Sequence, residues 1–178
     1  GDLTRILCGS EGTLAVVASA VLGLVPLPAV RSLGIVFFAS VAEAMQATVE
    51  LLDLEPAAIE HIDRLLFDQT RGQRAYAPAR DLLGLDREPC EAILLVEFFG
   101  DADDRLEDLV RRRLGLRRMA VREPAEQELV WGVRRDGLSL LTGCAGPAKP
   151  TAGIEDVCVR PRDLQRLDEI GRREAVTD

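Results

Sequence analysis

Apolar residues recur along this chain with two different periods, one typical of strands and one typical of helices. Residues 32–38 are an apolar, β-rich run of strand length, and residues 90–99 contain the strongest strand signal, I-L-L-V-E-F-F. Residues 57–62 alternate between apolar and polar positions, and residues 119–122 are a further strand candidate. The pattern therefore predicts four short strands.

Apolar residues at helical spacing follow the first and the third of these predicted strands. Ser40 and Glu43 form a capping box that opens a helix, which should end near residue 54. Residues 101–113 are amphipathic, with acidic residues in the first turn where they favour the helix dipole. The order strand, helix, strand thus occurs twice. It predicts an α+β fold with a ferredoxin-like split β-α-β antiparallel sheet and helices on one face.

The segments that flank this repeat have their own patterns. Residues 3–28 predict short strands around a glycine turn, and Pro26 and Pro28 end this stretch. Residues 63–70 predict one or two helical turns that lead into an irregular, arginine-rich loop. After the repeat we predict a helix over 125–141, a Gly/Pro/Ala-rich loop over 143–153, a strand over 154–159 and a helix from Pro161.

Composition narrows the class of protein. With 178 residues, 47% of them hydrophobic, the chain suits one core-forming domain, or one domain and part of another. Its net charge of −8 disfavours binding to nucleic acids and anionic membranes. Four widely spaced cysteines without a C-x-x-C pair indicate a reducing compartment. The longest apolar stretch, 14–28, is interrupted by glycine and proline and is too short for a membrane span. We expect a cytoplasmic protein with no nucleic-acid partner and no transmembrane segment.

Two motifs carry more specific information. The first is C-G-S-E-G-T-L over residues 8–14, which continues into A-V-V and closes with L-V-P-L-P over 24–28. Its glycines permit positive φ and leave no Cβ, so backbone N–H groups can approach a cofactor closely. A glycine turn between strands is also the usual form of a hairpin, so the turn alone does not establish a ligand.

The second motif is W-G-V-R-R over residues 131–135. The chain's single lysine, Lys149, follows it, and then I-E-D-V-C-V-R-P over 154–161. All but one of the 22 basic residues are arginines. Outside this motif Arg134 would therefore be read as one solvated arginine among many.

Both motifs closely resemble the family of FAD-linked oxidases related to D-lactate dehydrogenase and glycolate oxidase. The resemblance implies that residues 1–28 end a flavin-binding domain and that residues 29–178 form a truncated C-terminal cap domain that binds substrate. The E-D-V segment after lysine-proline is most similar to the branch fused to an iron–sulfur part. Because the glycine turn contacts FAD in this family, the implied cofactor-binding residues are Gly9, Ser10, Glu11, Gly12, Thr13 and Val16.

The resemblance also implies an FAD-dependent dehydrogenase that oxidises a D-2-hydroxy acid by hydride transfer to flavin. A guanidinium offers the substrate carboxylate a planar, bidentate partner. Arg134 is therefore the candidate clamp, and Lys149 is the candidate second cation. D-lactate or glycolate is the expected substrate type, and D-2-hydroxyglutarate is the alternative. The chain begins without methionine, so we expect it to be a piece of a longer protein. In isolation it is expected to be a non-catalytic folding or interaction module, because the resemblance implies that the main FAD-binding half lies before Gly1 and the usual metal segment after Asp178.

The sequence assigns no catalytic base and no metal site. His61, the only histidine, fits a packed or surface position better than a base. The H-x-G-x-G-x-x-H-like segment that holds metal or base in the family has no counterpart here, so we expect those residues to lie elsewhere. Glu155 and Asp156 are adjacent on a predicted strand and would point to opposite faces. A quinone, a cytochrome or a fused iron–sulfur part is the expected electron acceptor. Two further possibilities are a homodimer and peripheral attachment to the inner membrane.

Overall fold

The structure is a computed structural model that describes residues 2–143 and 159–174. Short 3₁₀ turns follow or precede several of its helices, at Leu52–Leu54, Arg74–Tyr76 and Pro161–Asp163. In chain order, the strands and α-helices of the described residues are α1 (Thr4–Leu7), β1 (Arg31–Phe38), α2 (Val41–Leu51), β2 (Ala58–Asp63), α3 (Arg64–Asp68), α4 (Ala77–Leu82), β3 (Ala92–Phe99), α5 (Asp103–Arg111), β4 (Arg117–Val121), α6 (Pro124–Arg135), α7 (Gly137–Thr142) and α8 (Leu164–Glu174).

The four strands form one open antiparallel sheet in the order β2-β3-β1-β4. Ile35 of β1 lies opposite Leu95 of β3 on one side and Met119 of β4 on the other. Consecutive strands of each β-α-β unit are separated by one strand from the other unit, which is the ferredoxin-like interleaving that the doubled strand-helix-strand order predicts. The predicted α+β fold is confirmed.

Helices α2 and α5 cover one face of the sheet, as predicted. Val36 and Leu94 of the central strands pack there against Leu106 and Leu109 of α5. Ser40 caps α2 by accepting a hydrogen bond from the Glu43 amide at 3.2 Å, so the predicted capping box marks the start of the helix. Helix α8 contacts α2 from outside.

The opposite face of the sheet is covered as well, by α3, α4 and α6. Ile35 and Leu95 belong to a core there with Phe67 of α3, Leu83 just after α4 and Val130 of α6. Because β1 and β3 are buried on both faces, their sequences are almost continuously apolar rather than alternating. The second core therefore explains why these two strands have the clearest sequence signals.

The arginine-rich segment after residue 70 corrects one prediction, because it contains helix α4 rather than only an irregular loop. Arg80 of this helix is 4% exposed. Its Nη1 donates to the Phe67 carbonyl at 2.7 Å and to Thr70 Oγ1 at 2.8 Å, and its Nε donates to Asp86 Oδ2 at 3.1 Å. The arginine that the sequence predicts in a loop is thus a buried residue whose three guanidinium nitrogens all donate hydrogen bonds.

The N-terminal segment corrects another prediction, because residues 2–30 form no strand. Residues 5–7, predicted as a strand, belong to the single helical turn α1. The apolar run that follows has no regular secondary structure, and most of its large side chains are well exposed. A strand needs a partner for its backbone hydrogen bonds, and β-propensity alone does not supply one. The edge strands of the described sheet, β2 and β4, do not pair with this run.

The C-terminal predictions are met in part. The helix predicted over 125–141 is divided at Asp136 into α6 and α7, and the helix from Pro161 forms as a 3₁₀ turn followed by α8. The predicted strand 154–159 and most of the preceding loop lie outside the described residues. Among the helices that are described, none has the length and apolar character needed to cross a bilayer.

Candidate functional site

Helix α6 carries the W-G-V-R-R motif across the second face of the sheet. Pro124 occupies the first turn, where its missing N–H costs nothing. The buried amide of Gln127 donates to the carbonyls of Arg31, Val121 and Arg122 at 3.0–3.2 Å, which ties the start of the helix to β1 and the end of β4. Val130 is fully buried one turn later. The helical repeat then brings Arg134 to the same side, above β2.

Arg134 meets Glu60 of β2 at this point. Its Nε donates to Glu60 Oε2 at 2.8 Å. The side chains are 43% and 36% exposed, so the pair lies at the edge of the core and is open to solvent. Among the described residues, no hydrogen bond from Nη1 or Nη2 of Arg134 is found. The guanidinium is held at one edge, and its outer edge can accept a planar anion such as a carboxylate.

Glu97 is a second carboxylate on the same face, one strand further into the sheet. It lies opposite Ala58 of β2 and Leu33 of β1, and it is only 8% exposed. Burial raises the pKa of Glu97, and the nearby Arg31 guanidinium, 3.9 Å away, opposes this effect. Glu97 lines a pocket of about 250 Å³ together with Trp131 of α6. A buried carboxylate therefore stands close to the helix that carries the predicted clamp.

Neither glutamate is among the site residues that the sequence predicts. Glu97 could have been found, because it is the one charged residue within the apolar run of β3. Glu60 could not, because its pairing depends on a helix 74 residues further along the chain. His61, next to Glu60, pairs with Leu94 and so lies on the face covered by α2 and α5. This position places it away from Arg134.

The glycine turn is present and lies in a separate region. Gly9 and Gly12 have φ of 79° and 77°, and Glu11 between them has φ of 47°. The turn is closed by the Thr13 amide and hydroxyl, which both donate to the Ser10 carbonyl, at 2.9 and 2.6 Å. The hydrogen bonds that the structure gives residues 2–28 all stay within that segment. The turn and Arg134 are thus not brought together by described contacts.

Two further observations concern the predicted site. Lys149, the candidate second cation, lies outside the described residues, as do Glu155 and Asp156. In residues 2–143 and 159–174, no three histidine, cysteine, aspartate or glutamate side chains are grouped as a metal site would require. The structure therefore describes two parts of the candidate region: Arg134 paired with Glu60, and a neighbouring pocket on the same face lined by Trp131 and Glu97.

The two interleaved β-α-β units define an α+β domain, and the second face of its sheet carries the candidate site beneath α6. The model of the family described as FAD linked oxidases, C-terminal domain, matches residues 27–170. The chain therefore belongs to this family, as the motifs indicated.

Curated relatives agree with the family. The chain is 31% identical to a D-2-hydroxyglutarate dehydrogenase of Escherichia coli K12, with 99% of this chain and 19% of the relative aligned. It is 27% identical to a protein of the same name from Pantoea ananatis, over 92% of this chain and 17% of the relative. It is also 27% identical to the glycolate oxidase subunit GlcD of Bacillus subtilis, over 93% of this chain and 34% of the relative. The chain thus spans between about a sixth and a third of the length of these proteins.

Proposed function

We propose that the protein containing this chain is an FAD-dependent dehydrogenase of a D-2-hydroxy acid, and that this chain forms the domain that covers the flavin and binds the substrate. The observation that carries the proposal is the state of Arg134. A single carboxylate holds its Nε, and no described residue engages its outer edge, in a chain that belongs to a family of FAD-linked oxidases. A 2-hydroxy acid brings the carboxylate that this edge can bind.

The glycine turn fits a role at FAD. Gly9 and Gly12 have the left-handed backbone that favours glycine, and no described atom lies within 4 Å of where a Cβ would stand. Their backbone can therefore approach a diphosphate without steric hindrance. We propose that Gly9, Ser10, Glu11, Gly12 and Thr13 contact FAD chiefly through this backbone, and that Val16, 93% exposed here, packs beside it. Bound FAD supplies the hydride acceptor.

The exposed run after the turn supports a domain boundary near residue 28. Contiguous exposed apolar surface of this kind marks a surface that binds another part of a protein, and the matched family domain begins at residue 27. We propose that residues 1–28 complete a flavin-binding domain and that residues 29–178 form the cap. The large exposed side chains that would be covered are Leu14, Val16, Val17, Val21, Leu22, Leu24, Val25 and Leu27.

In this scheme the side chains of the chain bind and orient the substrate. Arg134 binds and orients the carboxylate of the substrate, and Lys149 adds a second positive charge near it. Trp131 limits access of water on the side towards β3, because it packs partly buried against the core. Removing water strengthens both charge interactions. The base that takes the hydroxyl proton is not assigned to a described residue.

Among substrates, we propose D-2-hydroxyglutarate as the first to test, because the E. coli and P. ananatis relatives are named for it. Glycolate is the second, from the name of the B. subtilis relative, and D-lactate is the third, on the resemblance of the motifs. The chain covers a smaller share of the D-2-hydroxyglutarate dehydrogenases than of the glycolate oxidase subunit. The extra length of the former leaves room for a fused iron–sulfur part, which we propose as the electron acceptor ahead of a quinone or a cytochrome.

The test uses the full-length protein that contains this chain. It should purify with bound flavin and oxidise at least one of the three acids, with the highest kcat/KM for D-2-hydroxyglutarate. Sedimentation of the same sample distinguishes a homodimer from a monomer, and fractionation distinguishes a cytoplasmic protein from one attached to the inner membrane. A colourless protein that cannot be reconstituted with FAD would instead favour a non-catalytic folding or interaction module.

A further inference from the structure

We infer that Glu60 is a positioning residue that orients Arg134 for the substrate carboxylate. The inference rests on the proposed function, because it assigns a role to the partner of the proposed clamp. It depends on which nitrogen of Arg134 the glutamate engages and on how firmly each side chain is anchored.

A guanidinium has two edges that can bind a carboxylate with two parallel hydrogen bonds. One edge presents Nε–H with an Nη–H, and the other presents one N–H from each Nη. Glu60 accepts from Nε at 2.8 Å, so it occupies the first edge. An incoming carboxylate is then directed to the outer edge, at the end of the side chain. Without Glu60 both edges would compete for the substrate, and only one of the two poses can be productive.

Both backbones beneath this pair are fixed. Glu60 sits in the middle of β2, opposite Leu95 of β3, which is fully buried. The strand runs into α3, whose N-cap Asp63 accepts from the Leu66 amide at 3.0 Å. Helix α6 is tied down by Gln127, as described above. The carboxylate is therefore presented from a hydrogen-bonded strand to a helix that is anchored at its start, which suits the orientation of a binding group.

Two other described arginines share this pattern, since Nε of Arg122 donates to Asp103 Oδ1 at 3.2 Å and Nε of Arg160 to Asp163 Oδ2 at 2.8 Å. Further arginines pair through their Nη groups. Arg135, the next residue on α6, uses its Nη2 to bind Glu128. Arg112 places Nη1 and Nη2 on the two oxygens of Asp53, at 2.8 and 3.0 Å. The Asp53 carboxylate thus engages the outer edge of Arg112. Arg134 is held at the inner edge, and no described residue engages its outer edge. Its place in the W-x-x-R motif distinguishes it from Arg122 and Arg160.

A purely structural ion pair is the alternative explanation. A pair as exposed as this one contributes little to stability, so removal of Glu60 should hardly change the melting temperature. A positioning role predicts a different pattern. KM for the 2-hydroxy acid should rise while flavin content and melting temperature stay the same, and the rise should depend on Arg134.

The experiment compares variants of the full-length protein by steady-state kinetics, flavin content and thermal melting. We expect Glu60→Ala to raise KM about tenfold. We expect Glu60→Gln to recover most of this loss, because its amide oxygen still accepts from Nε. In an Arg134→Ala background, Glu60→Ala should have no further effect on KM. The matched control is Glu91→Ala, which removes a half-exposed carboxylate from Arg64 (2.6 Å) at the other end of β3 and should leave KM unchanged.

The outcomes separate this inference from the proposed function. If Arg134→Ala raises KM and Glu60→Ala does not, or if Glu60→Ala acts equally in both backgrounds, the positioning role is wrong and the clamp stands. If Arg134→Ala leaves KM and kcat unchanged, or if none of the three acids is oxidised, the proposed function fails and the positioning role fails with it. If Glu60→Ala does not fold, Glu60→Val takes its place, because it also removes the acceptor and suits a strand. A rise in KM that Glu60→Gln does not share supports the role, and an unchanged KM overturns it.

Discussion

Arg134 and Glu60 are 74 residues apart in the sequence and are joined by a hydrogen bond of 2.8 Å between Nε and Oε2. Arg134 belongs to α6, which follows the sheet, and Glu60 belongs to the edge strand β2. The bond therefore links the helix and the strand that border the candidate site. It also fixes which edge of the guanidinium faces outward. The chemistry proposed for this domain depends on that orientation more than on the positive charge alone.

Arg134→Lys separates orientation from charge. Lysine keeps the positive charge but presents it as a compact point without a planar pair of donors. We expect kcat/KM for the preferred 2-hydroxy acid to fall by about tenfold or more in the full-length protein, with unchanged flavin content. Steady-state kinetics checks this. Full activity of the lysine variant would mean that charge alone is sufficient and that the edge-specific binding is wrong.

Glu97→Gln should make the chain more stable at neutral pH. Burial raises the pKa of Glu97 above its ordinary value in the folded chain, so the folded state favours the protonated form. Below the unfolded pKa both states are protonated and no penalty exists. As pH rises through the folded pKa, the buried carboxylate ionises and stability is lost. The glutamine variant avoids this loss.

We therefore expect the melting temperatures of the Glu97→Gln variant and the wild type to coincide near pH ~4 and to diverge by a few degrees in favour of the variant at pH ~7. Thermal melting across this range provides the measurement. If the Glu97→Gln variant instead melts at a lower temperature than the wild type at neutral pH, the interaction of Glu97 with Arg31 outweighs the cost of its burial.

Gly34→Ala should destabilise the chain because helix α5 packs directly on this position. A Cβ at Gly34 would lie 2.9 Å from Leu109 Cδ1 and 3.1 Å from Cδ2. Overpacking of this kind costs about 1–3 kcal/mol. Gly132→Ala is the matched control, since it lies within α6 with no neighbouring atom within 4 Å of its Cβ position and should stabilise by about 0.5–1 kcal/mol. Urea unfolding of both variants tests the packing, and equal free energies of unfolding would contradict it.

Arg80→Met should be among the most destabilising single changes in the chain. The substitution leaves the Phe67 carbonyl and the Thr70 hydroxyl without their buried donor, at a cost of about 3 kcal/mol or more. The same change at Arg64, which is 49% exposed, should cost less than about 1 kcal/mol. Unfolding free energies that do not differ between the two variants would show that Arg80 is not a core residue.

The sequence is informative where burial imposes a period and misleading where a contact is non-local. β1 and β3 are predictable because both of their faces are buried, which makes them continuously apolar. The capping box of Ser40 and Glu43 is a local pattern, so the start of α2 could be predicted from the sequence. Helix α4 is not predictable in this way, because Arg80 satisfies its charge through residues that only the fold brings near. The apolar run after the glycine turn has the β-branched character of a strand but no described strand beside it to pair with.

The candidate site follows the same rule. Arg134 could be predicted because the W-x-x-R motif is local, and the turn at residues 9–12 because glycine positions reveal left-handed backbone. Glu60 and Glu97 could not be joined to Arg134 from the sequence, because strand order and register decide which of their side chains share a face.

Anaerobic reduction of the flavin tests the central claim most directly. The full-length protein is mixed with D-2-hydroxyglutarate, glycolate or D-lactate, and the flavin absorbance is followed without an electron acceptor. We predict that at least one acid bleaches the wild-type flavin and that Arg134→Ala, with the same flavin content, is bleached about 100-fold more slowly at subsaturating acid. Bleaching of the variant at the wild-type rate, or no bleaching of the wild type by any of the three acids, would contradict the account.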